Sequence, residues 1–189
     1  MLQTFIEQLK RIHPVSVGLE QYLEALEIVE IPKHTLLLRE GQTEDFAWII
    51  IKGLVRSYYI KDGEEICSRF NQEDQIVLSV VSFYSRNPGY EFVETLEDCT
   101  LARIHYDKLQ ALYQEFPEFN FHARALTEYY FSLSELRLYL LRKQSAEERY
   151  RYFIDHYPEW LLRVPLKFIA SFLGMQLETL SRVRKKISR

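Results

Sequence analysis

The sequence predicts an α+β protein: an N-terminal jelly-roll β-sandwich with flanking helices, then a long helix and a C-terminal helix-turn-helix domain. Three observations predict this class. Short β-prone runs follow one another between residues 28 and 105. Apolar residues then recur at helical spacing from residue 119. The chain finishes with two short helical patterns that are separated by a glycine.

Two short helices are predicted before the strands. Pro14 ends the first, and Ser16 is placed to cap the second. The apolar residues that define the first helix are Leu2, Phe5, Ile6, Leu9 and Ile12, and those of the second are Leu19, Tyr22, Leu23 and Leu26.

The strands are predicted from eight short runs that are separated by turn residues. Lys61-Asp-Gly63 is a strong hairpin turn between the fourth and fifth runs. Runs this short and closely spaced favour a sandwich or jelly roll over an α/β sheet. The runs are residues 28–31, 35–38, 47–51, 54–60, 65–70, 75–78, 90–95 and 100–105.

A long helix is predicted after the strands, and its apolar positions alternate at four- and three-residue spacing. Such a seam is typical of a helix that dimerises. A helix that packs along its own β-domain, or one that does both, gives the same pattern. The seam consists of Phe119, Ala123, Leu126, Tyr130, Leu133, Arg137 and Leu140.

The terminal pattern predicts a helix-turn-helix whose second helix runs from Leu177 to Ile187. Gly174 lies where the chain turns sharply, and Ala170 is small where the two helices cross. The polar side of the second helix predicts a DNA-binding surface. An amphipathic helix whose cations only complement the helix dipole is the alternative. The predicted DNA-binding residues are Gln176, Glu178, Thr179, Ser181, Arg182, Arg184, Lys185 and Lys186.

Charge is distributed unevenly along the chain. From Arg142 onward there are 11 Lys and Arg against 5 Asp and Glu, a net charge of +6, whereas the remaining residues carry 13 against 22, a net charge of −9. An acidic body with a basic end indicates a partner that meets one end of the molecule. The predicted domains are residues 1–117 (β-roll), 118–142 (long helix) and 143–189 (DNA-binding).

Two cysteines, Cys67 and Cys99, are too few for a disulfide framework or a four-thiolate metal site, and we expect reduced thiols. No stretch reads as a signal peptide or reaches membrane-spanning length, so a cytoplasmic protein without a membrane partner is expected. The five histidines are scattered, with no His-x-His pair of the kind a cupin-like metal enzyme needs. We therefore expect no enzyme; that cupin-like enzyme and a ligand-sensing or protein-interaction module that does not bind DNA remain the alternatives.

This order of sandwich, long helix and helix-turn-helix resembles the bacterial Crp/Fnr transcription regulators. Residues 36–58 are similar to the first part of the family's β-roll, with its Glu-Gly turn and Lys-Gly pair, and residues 174–182 look like its recognition helix. The resemblance implies a homodimer on a near-palindromic site in double-stranded DNA, and RNA polymerase as a further partner. It also implies that Glu178, Thr179 and Arg182 read bases. Leu177 stands where cyclic-AMP-type members often have another Arg, so a different base preference is expected.

The resemblance does not extend to the cyclic-nucleotide site. Members that bind cyclic nucleotides have a Gly-Glu-Leu segment and an Arg-Ser-Ala segment, where this chain has residues 75–79 and 90–92 without that Gly-Glu pair or Arg. An anionic phosphate would instead meet Glu91 and Glu94. We expect no cyclic AMP binding in the usual mode and no cofactor; any small-molecule effector is unknown. Arg86 either reaches this pocket or is a solvated loop residue.

Overall fold

The computed structural model describes residues 2–187, so Ser188 and Arg189 of the predicted terminal domain lie outside it. The described chain forms two compact units. The first contains the residues up to Ser57 together with Phe70–Tyr129, and the second contains Tyr58–Arg69 together with the residues from Tyr130 onward. These units divide the chain at other places than the predicted domains, because a hairpin from the strand region groups with the C-terminal helices.

The described residues form nine helices and eight strands. The helices are α1 (Gln3–Ile12), α2 (Val17–Glu24), α3 (Val80–Ser85), α4 (Tyr106–Glu115), α5 (Phe119–Lys143), α6 (Ala146–His156), α7 (Trp160–Arg163), α8 (Leu166–Phe172) and α9 (Leu177–Ile187). The strands are β1 (Glu27–Ile31), β2 (Leu36–Leu38), β3 (Phe46–Lys52), β4 (Val55–Lys61), β5 (Glu64–Asn71), β6 (Ile76–Val77), β7 (Phe92–Thr95) and β8 (Cys99–His105).

The strands form two four-stranded sheets, with the orders β1-β8-β3-β6 and β2-β7-β4-β5. Strand β8 pairs antiparallel with both β1 and β3. The turn between β4 and β5 places Asp62 at φ 53° and Gly63 at φ 81°, the two left-handed residues that a tight hairpin turn requires. The predicted fold class, with antiparallel sheets followed by C-terminal helices, is confirmed.

Strand β3 shows how the first unit builds its core. Successive side chains of a strand point to opposite faces, and here both faces are buried. Ala47 and Ile49 join a cluster that includes residues of α1, α2, α4 and the start of α5, whereas Trp48 and Ile50 join a cluster with residues of the second sheet. This double burial explains the continuous apolar run of β3.

Helices α3 and α7 leave no apolar repeat in the sequence, because they have only six and four residues. The predicted start of α2 is confirmed, since the Ser16 hydroxyl caps this helix. The sequence Ser145-Ala-Glu-Glu148 has the pattern of a capping box, and Ser145 and Glu148 form that box at the start of α6.

Cys67 and Cys99 are both buried, and neither forms a disulfide within residues 2–187. Burial raises the pKa of the Cys99 thiol to about 11, so this group stays protonated near neutral pH. None of the helices in residues 2–187 has the length and apolarity needed to cross a membrane.

Candidate nucleic-acid interface

The connection between α8 and α9 has the geometry of a glycine-terminated helix. Gly174 adopts φ 63°, its amide donates to Ser171 O at 3.0 Å, and the Met175 amide donates to Ala170 O at 3.0 Å. These two bonds form a Schellman motif, which satisfies carbonyls at the end of α8. A Cβ at Gly174 would also lie 3.0 Å from Leu141 Cδ2, so both backbone conformation and space favour glycine here.

The apolar sides of the two helices hold α9 in place. Ile169 and Leu180 are fully buried, and Ala170 is 2% exposed. Val183 and Ile187 are half-buried on the same stripe of α9 as Leu180. The second helix therefore turns one face inward and leaves the opposite face in solvent.

That outer face of α9 contains most of the predicted DNA-binding residues. At about 100° per residue, Glu178, Ser181, Arg182 and Lys185 point away from Leu180. Within the predicted set, Thr179 and Arg184 are half-buried at the margins, and the other residues, Gln176, Glu178, Ser181, Arg182, Lys185 and Lys186, are exposed.

Arg182 and Lys186 are among the residues of this set that have partners within the described chain. Arg182 Nη2 lies 3.3 Å from Thr179 Oγ1, a contact that holds the guanidinium along the helix surface. Lys186 Nζ lies 2.6 Å from Glu147 Oε2 of α6, and Arg151 Nη2 lies 3.0 Å from Glu147 Oε1. Hydrogen bonds from Lys186 and then Arg151 lower the pKa of Glu147, which is therefore ionised at neutral pH.

Contacts that were not predicted fix the end of α8. Ser171 Oγ donates to Glu65 O at 3.0 Å and accepts from Cys67 N at 2.9 Å. Because β5 is an edge strand, the hydroxyl of Ser171 replaces a missing strand partner. Arg137 Nη2 donates to Cys67 O at 3.2 Å and to Phe172 O at 3.1 Å.

Arg149 of α6 also stabilises the turn between α8 and α9. Its Nε donates to Leu173 O at 2.8 Å, Nη2 to Gly174 O at 3.3 Å, and Nη1 to Gln144 O at 2.6 Å. Positive groups at a helix C-terminus are favourable because carbonyl oxygens converge there. No periodicity in the sequence marks Arg149 or Ser171 for this role.

The predicted dimer seam of α5 packs within its own chain. Phe119 belongs to the core of the first unit, and Ala123 and Leu126 pack against that core. Leu133, Arg137 and Leu140 line a pocket in the second unit, and Tyr130 is half-buried. This arrangement is compatible with a helix that packs along its own chain and with one that does both, so the dimer role of the seam stays a prediction. Large apolar side chains of α5 are instead exposed outside the seam: Phe121, Tyr129, Phe131, Leu136, Leu138 and Tyr139.

Buried carboxylates lie around residues 75–79 and 90–92, the segments that stand in place of a cyclic-nucleotide site. Ser79 Oγ donates to Glu91 Oε1 at 2.8 Å, and the Phe46 amide donates to Glu44 Oε1 at 3.1 Å. Glu44 is 2% exposed, and burial raises its pKa to about 7, with the carboxylates of Asp45 and Glu91 acting in the same direction. Two buried acids leave this region without the positive character that a phosphate requires.

The arginines near those acids are engaged by other groups. Arg56 is buried and its Nη2 lies 2.5 Å from Glu94 Oε2. Arg86 donates to the carbonyls of Glu44 and Phe83 and pairs with Asp45. Arg86 is thus half-buried and joins the end of α3 to the loop before β3, and it is not a solvated loop residue. Within residues 2–187, no group of three or more His, Cys, Asp or Glu is arranged to hold a metal.

Comparison with known proteins gives a consistent pattern. Residues 28–116 match the cyclic nucleotide-binding domain family. The regulatory protein HlyX of Actinobacillus pleuropneumoniae is 24% identical over 165 residues, which are 81% of this chain and 68% of HlyX.

Two solved structures share the fold. FixK2 from Bradyrhizobium japonicum superposes with a TM-score of 0.76 at 19% identity, covering 87% of this chain and 85% of FixK2. The c-di-GMP-responsive global regulator CLP from Xanthomonas campestris superposes with a TM-score of 0.73 at 20% identity, covering 92% of each chain.

Proposed function

We propose that this chain is a homodimeric transcription regulator of the Crp/Fnr type that binds double-stranded DNA through α9. One observation carries the proposal: α9 is seated on α8 by its apolar stripe while Glu178, Ser181, Arg182 and Lys185 face outward. A helix presented in this way fits the major groove.

We assign base recognition to the residues at the start of the outer face of α9. Arginine pairs bidentately with guanine, and glutamate accepts from the amino group of cytosine. The contact between Arg182 and Thr179 restricts the guanidinium before DNA arrives, so less conformational entropy is lost on binding. We therefore assign sequence discrimination to Glu178, Thr179 and Arg182, with Gln176 and Ser181 beside them.

We assign the contacts with DNA phosphates to the basic end of α9. Lys185 is exposed, and Arg184 lies at the margin of the same helix. Lys186 reaches a phosphate only by exchanging its partner Glu147 for the DNA backbone. Such contacts release counterions, which gives affinity without sequence preference.

The exposed apolar face of α5 supports a dimer. Phe131 is 65% exposed, and Leu138 and Tyr139, two turns further along the helix, are 39% and 53% exposed, which is unusual for large apolar side chains in water. A second copy packed on this face would bury them and place two recognition helices in successive major grooves of a near-palindromic site. RNA polymerase is the further partner we expect for a regulator of this kind.

The β-roll is proposed to act without cyclic AMP in the usual mode. Glu44 and Glu91 are buried where a phosphate-binding cation would be needed, and Arg56 and Arg86 are held by Glu94 and by the loop before β3. Burying an anion beside two carboxylates is electrostatically unfavourable.

DNA selection tests the proposal. Genomic fragments retained by the protein are sequenced, and the enriched site is used to compare the wild type with Arg182→Ala. We expect the variant to lose about 1–3 kcal/mol of preference for a guanine. Arg124→Ala, an exposed arginine of α5, is the matched control and keeps full discrimination. Equal loss on specific and random DNA rules out base reading by Arg182, and no enriched site rules out the function.

A further inference from the structure

A pocket within the second unit combines an apolar lining with a half-buried cation. It lies among α5, α6 and α8 and has a volume of about 50 Å³. Most of its lining is aliphatic or aromatic, and Arg137 and Arg149 are its two positively charged residues. The apolar residues of the lining include Leu133, Leu140, Phe153, Phe172 and Leu173.

Arg137 is incompletely paired. Among residues 2–187 it makes no ion pair with a carboxylate, and its hydrogen bonds run from Nη2 alone, to Cys67 O and Phe172 O. Its guanidinium carbon lies 4.1 Å from the centre of the Phe172 ring. Burial lowers the pKa of Arg137 to about 10, and the positive charge of Arg69 acts in the same direction. A half-buried cation without a counterion is electrostatically unfavourable, so this position is suited to an anion.

Arg149, the second arginine of the pocket lining, already donates its hydrogen bonds to backbone carbonyls. All three guanidinium nitrogens of Arg149 donate to backbone carbonyls at the end of α5 and of α8. The anion-binding capacity of the pocket therefore rests with Arg137, whose Nε and Nη1 groups make no hydrogen bond within residues 2–187.

The volume limits the size of the occupant. One water-sized group needs about 10–15 Å³, so a pocket of about 50 Å³ holds about three to five non-hydrogen atoms. A planar carboxylate matches the fork of a guanidinium, and a short alkyl group matches Leu133, Leu140 and Phe172. We propose that this pocket binds a short-chain carboxylate of two or three carbons, with the carboxylate on Arg137 and the alkyl group among the apolar side chains.

Binding is tested on the full chain without DNA, so the result is independent of the proposed DNA-binding function. Propionate is titrated at constant ionic strength and followed by ligand-detected NMR, and propionamide, which has nearly the same shape but no charge, is titrated in parallel. We expect saturable binding of propionate and binding at least about tenfold weaker for propionamide, because bonds to a charged group are the stronger ones. Equal binding of the two, or no saturation by propionate, overturns the proposal.

Variants locate the site. Arg137→Met is expected to weaken propionate binding at least about tenfold, and Arg137→Lys, which keeps the charge but lacks the fork, to weaken it less. Arg142→Met, on an exposed position of the same helix outside the pocket lining, is the control and is expected to bind like the wild type. Circular dichroism confirms that each variant is folded. Unchanged binding by a folded Arg137→Met or Arg137→Lys protein overturns the assignment to Arg137.

Discussion

Lys186 Nζ of α9 and Glu147 Oε2 of α6 lie 2.6 Å apart. A residue on the basic end of the recognition helix is thus neutralised by the helix that supports it. Such exposed pairs are weak and readily exchange partners. Under the proposed function, Glu147 competes with DNA phosphates for Lys186 and so lowers the DNA affinity that Lys186 contributes.

Glu147→Gln is expected to raise DNA affinity about two- to fivefold at low salt, because Lys186 is then available to a phosphate. Fluorescence anisotropy with the selected DNA site measures the change. Glu159→Gln, on another acidic position of the second unit, is the control for net charge. An unchanged or lower affinity for Glu147→Gln, or an equal gain in the control, contradicts a direct competition.

Gly174→Ala is expected to destabilise the second unit by about 1–2 kcal/mol or more, since alanine is strained at φ 63° and its Cβ would press on Leu141. Urea unfolding monitored by circular dichroism measures the free energy. Gly63→Ala is the matched control, because Gly63 has φ 81° but nothing within 4 Å of an added Cβ. If Leu141 matters, Gly174→Ala costs more than Gly63→Ala; equal costs mean that the backbone angle alone requires glycine.

The raised pKa of Glu44 predicts that the free energy of unfolding depends on pH. Its folded pKa of about 7 lies above its ordinary value of 4.5, so the folded state holds a proton that the unfolded state releases. The free energy of unfolding therefore falls as pH rises from about 4.5 to about 7, by an amount on the order of 3 kcal/mol from this group. Glu44→Gln is expected to flatten the dependence, as measured by urea unfolding between pH 4.5 and 8.

Glu40→Gln is the control for the Glu44 prediction. Glu40 is an exposed carboxylate that, like Glu44, lies shortly before β3. It should keep the pH profile of the wild type. A Glu44→Gln protein with an unchanged profile would show that Glu44 does not titrate in this range.

Phe131→Glu is expected to convert the proposed dimer to a monomer, because a charge would be placed in the apolar face of α5. Sedimentation velocity measures the mass. Leu162→Glu is the control: Leu162 is 92% exposed on α7, away from α5 in the chain. A Phe131→Glu protein that remains dimeric means that the subunits meet elsewhere.

Local signals in the sequence predicted much of the fold. Helix α9 begins at Leu177 and ends at Ile187 as predicted, because its apolar stripe and the preceding Gly174 are both local features. Long-range contacts left no such signal. Ser171 and Cys67 are 104 residues apart, and neither residue type indicates that a helix would cap the edge of β5.

Helix α5 shows a second limit of sequence reasoning. Its periodicity correctly identified an apolar face from Phe119 to Leu140, but a heptad-like seam looks the same whether it meets its own chain or a partner. The structure packs Phe119, Ala123 and Leu126 into or against the core of the first unit, and it exposes Phe131 and Tyr139 outside the seam. When one helix has two apolar faces, the apolar residues of each face interrupt the spacing of the other. Neither face can then be assigned to a partner from the sequence alone.

The salt dependence of DNA affinity tests the central claim most directly. Affinity for the selected site is measured from low to high salt for the wild type and for Lys185→Gln. We predict a steep fall in log affinity with log salt concentration, and a slope that is shallower in the variant by about 1 for each phosphate that the helix no longer neutralises. An affinity that is nearly independent of salt, or a slope unchanged in Lys185→Gln, would contradict DNA binding through the basic face of α9.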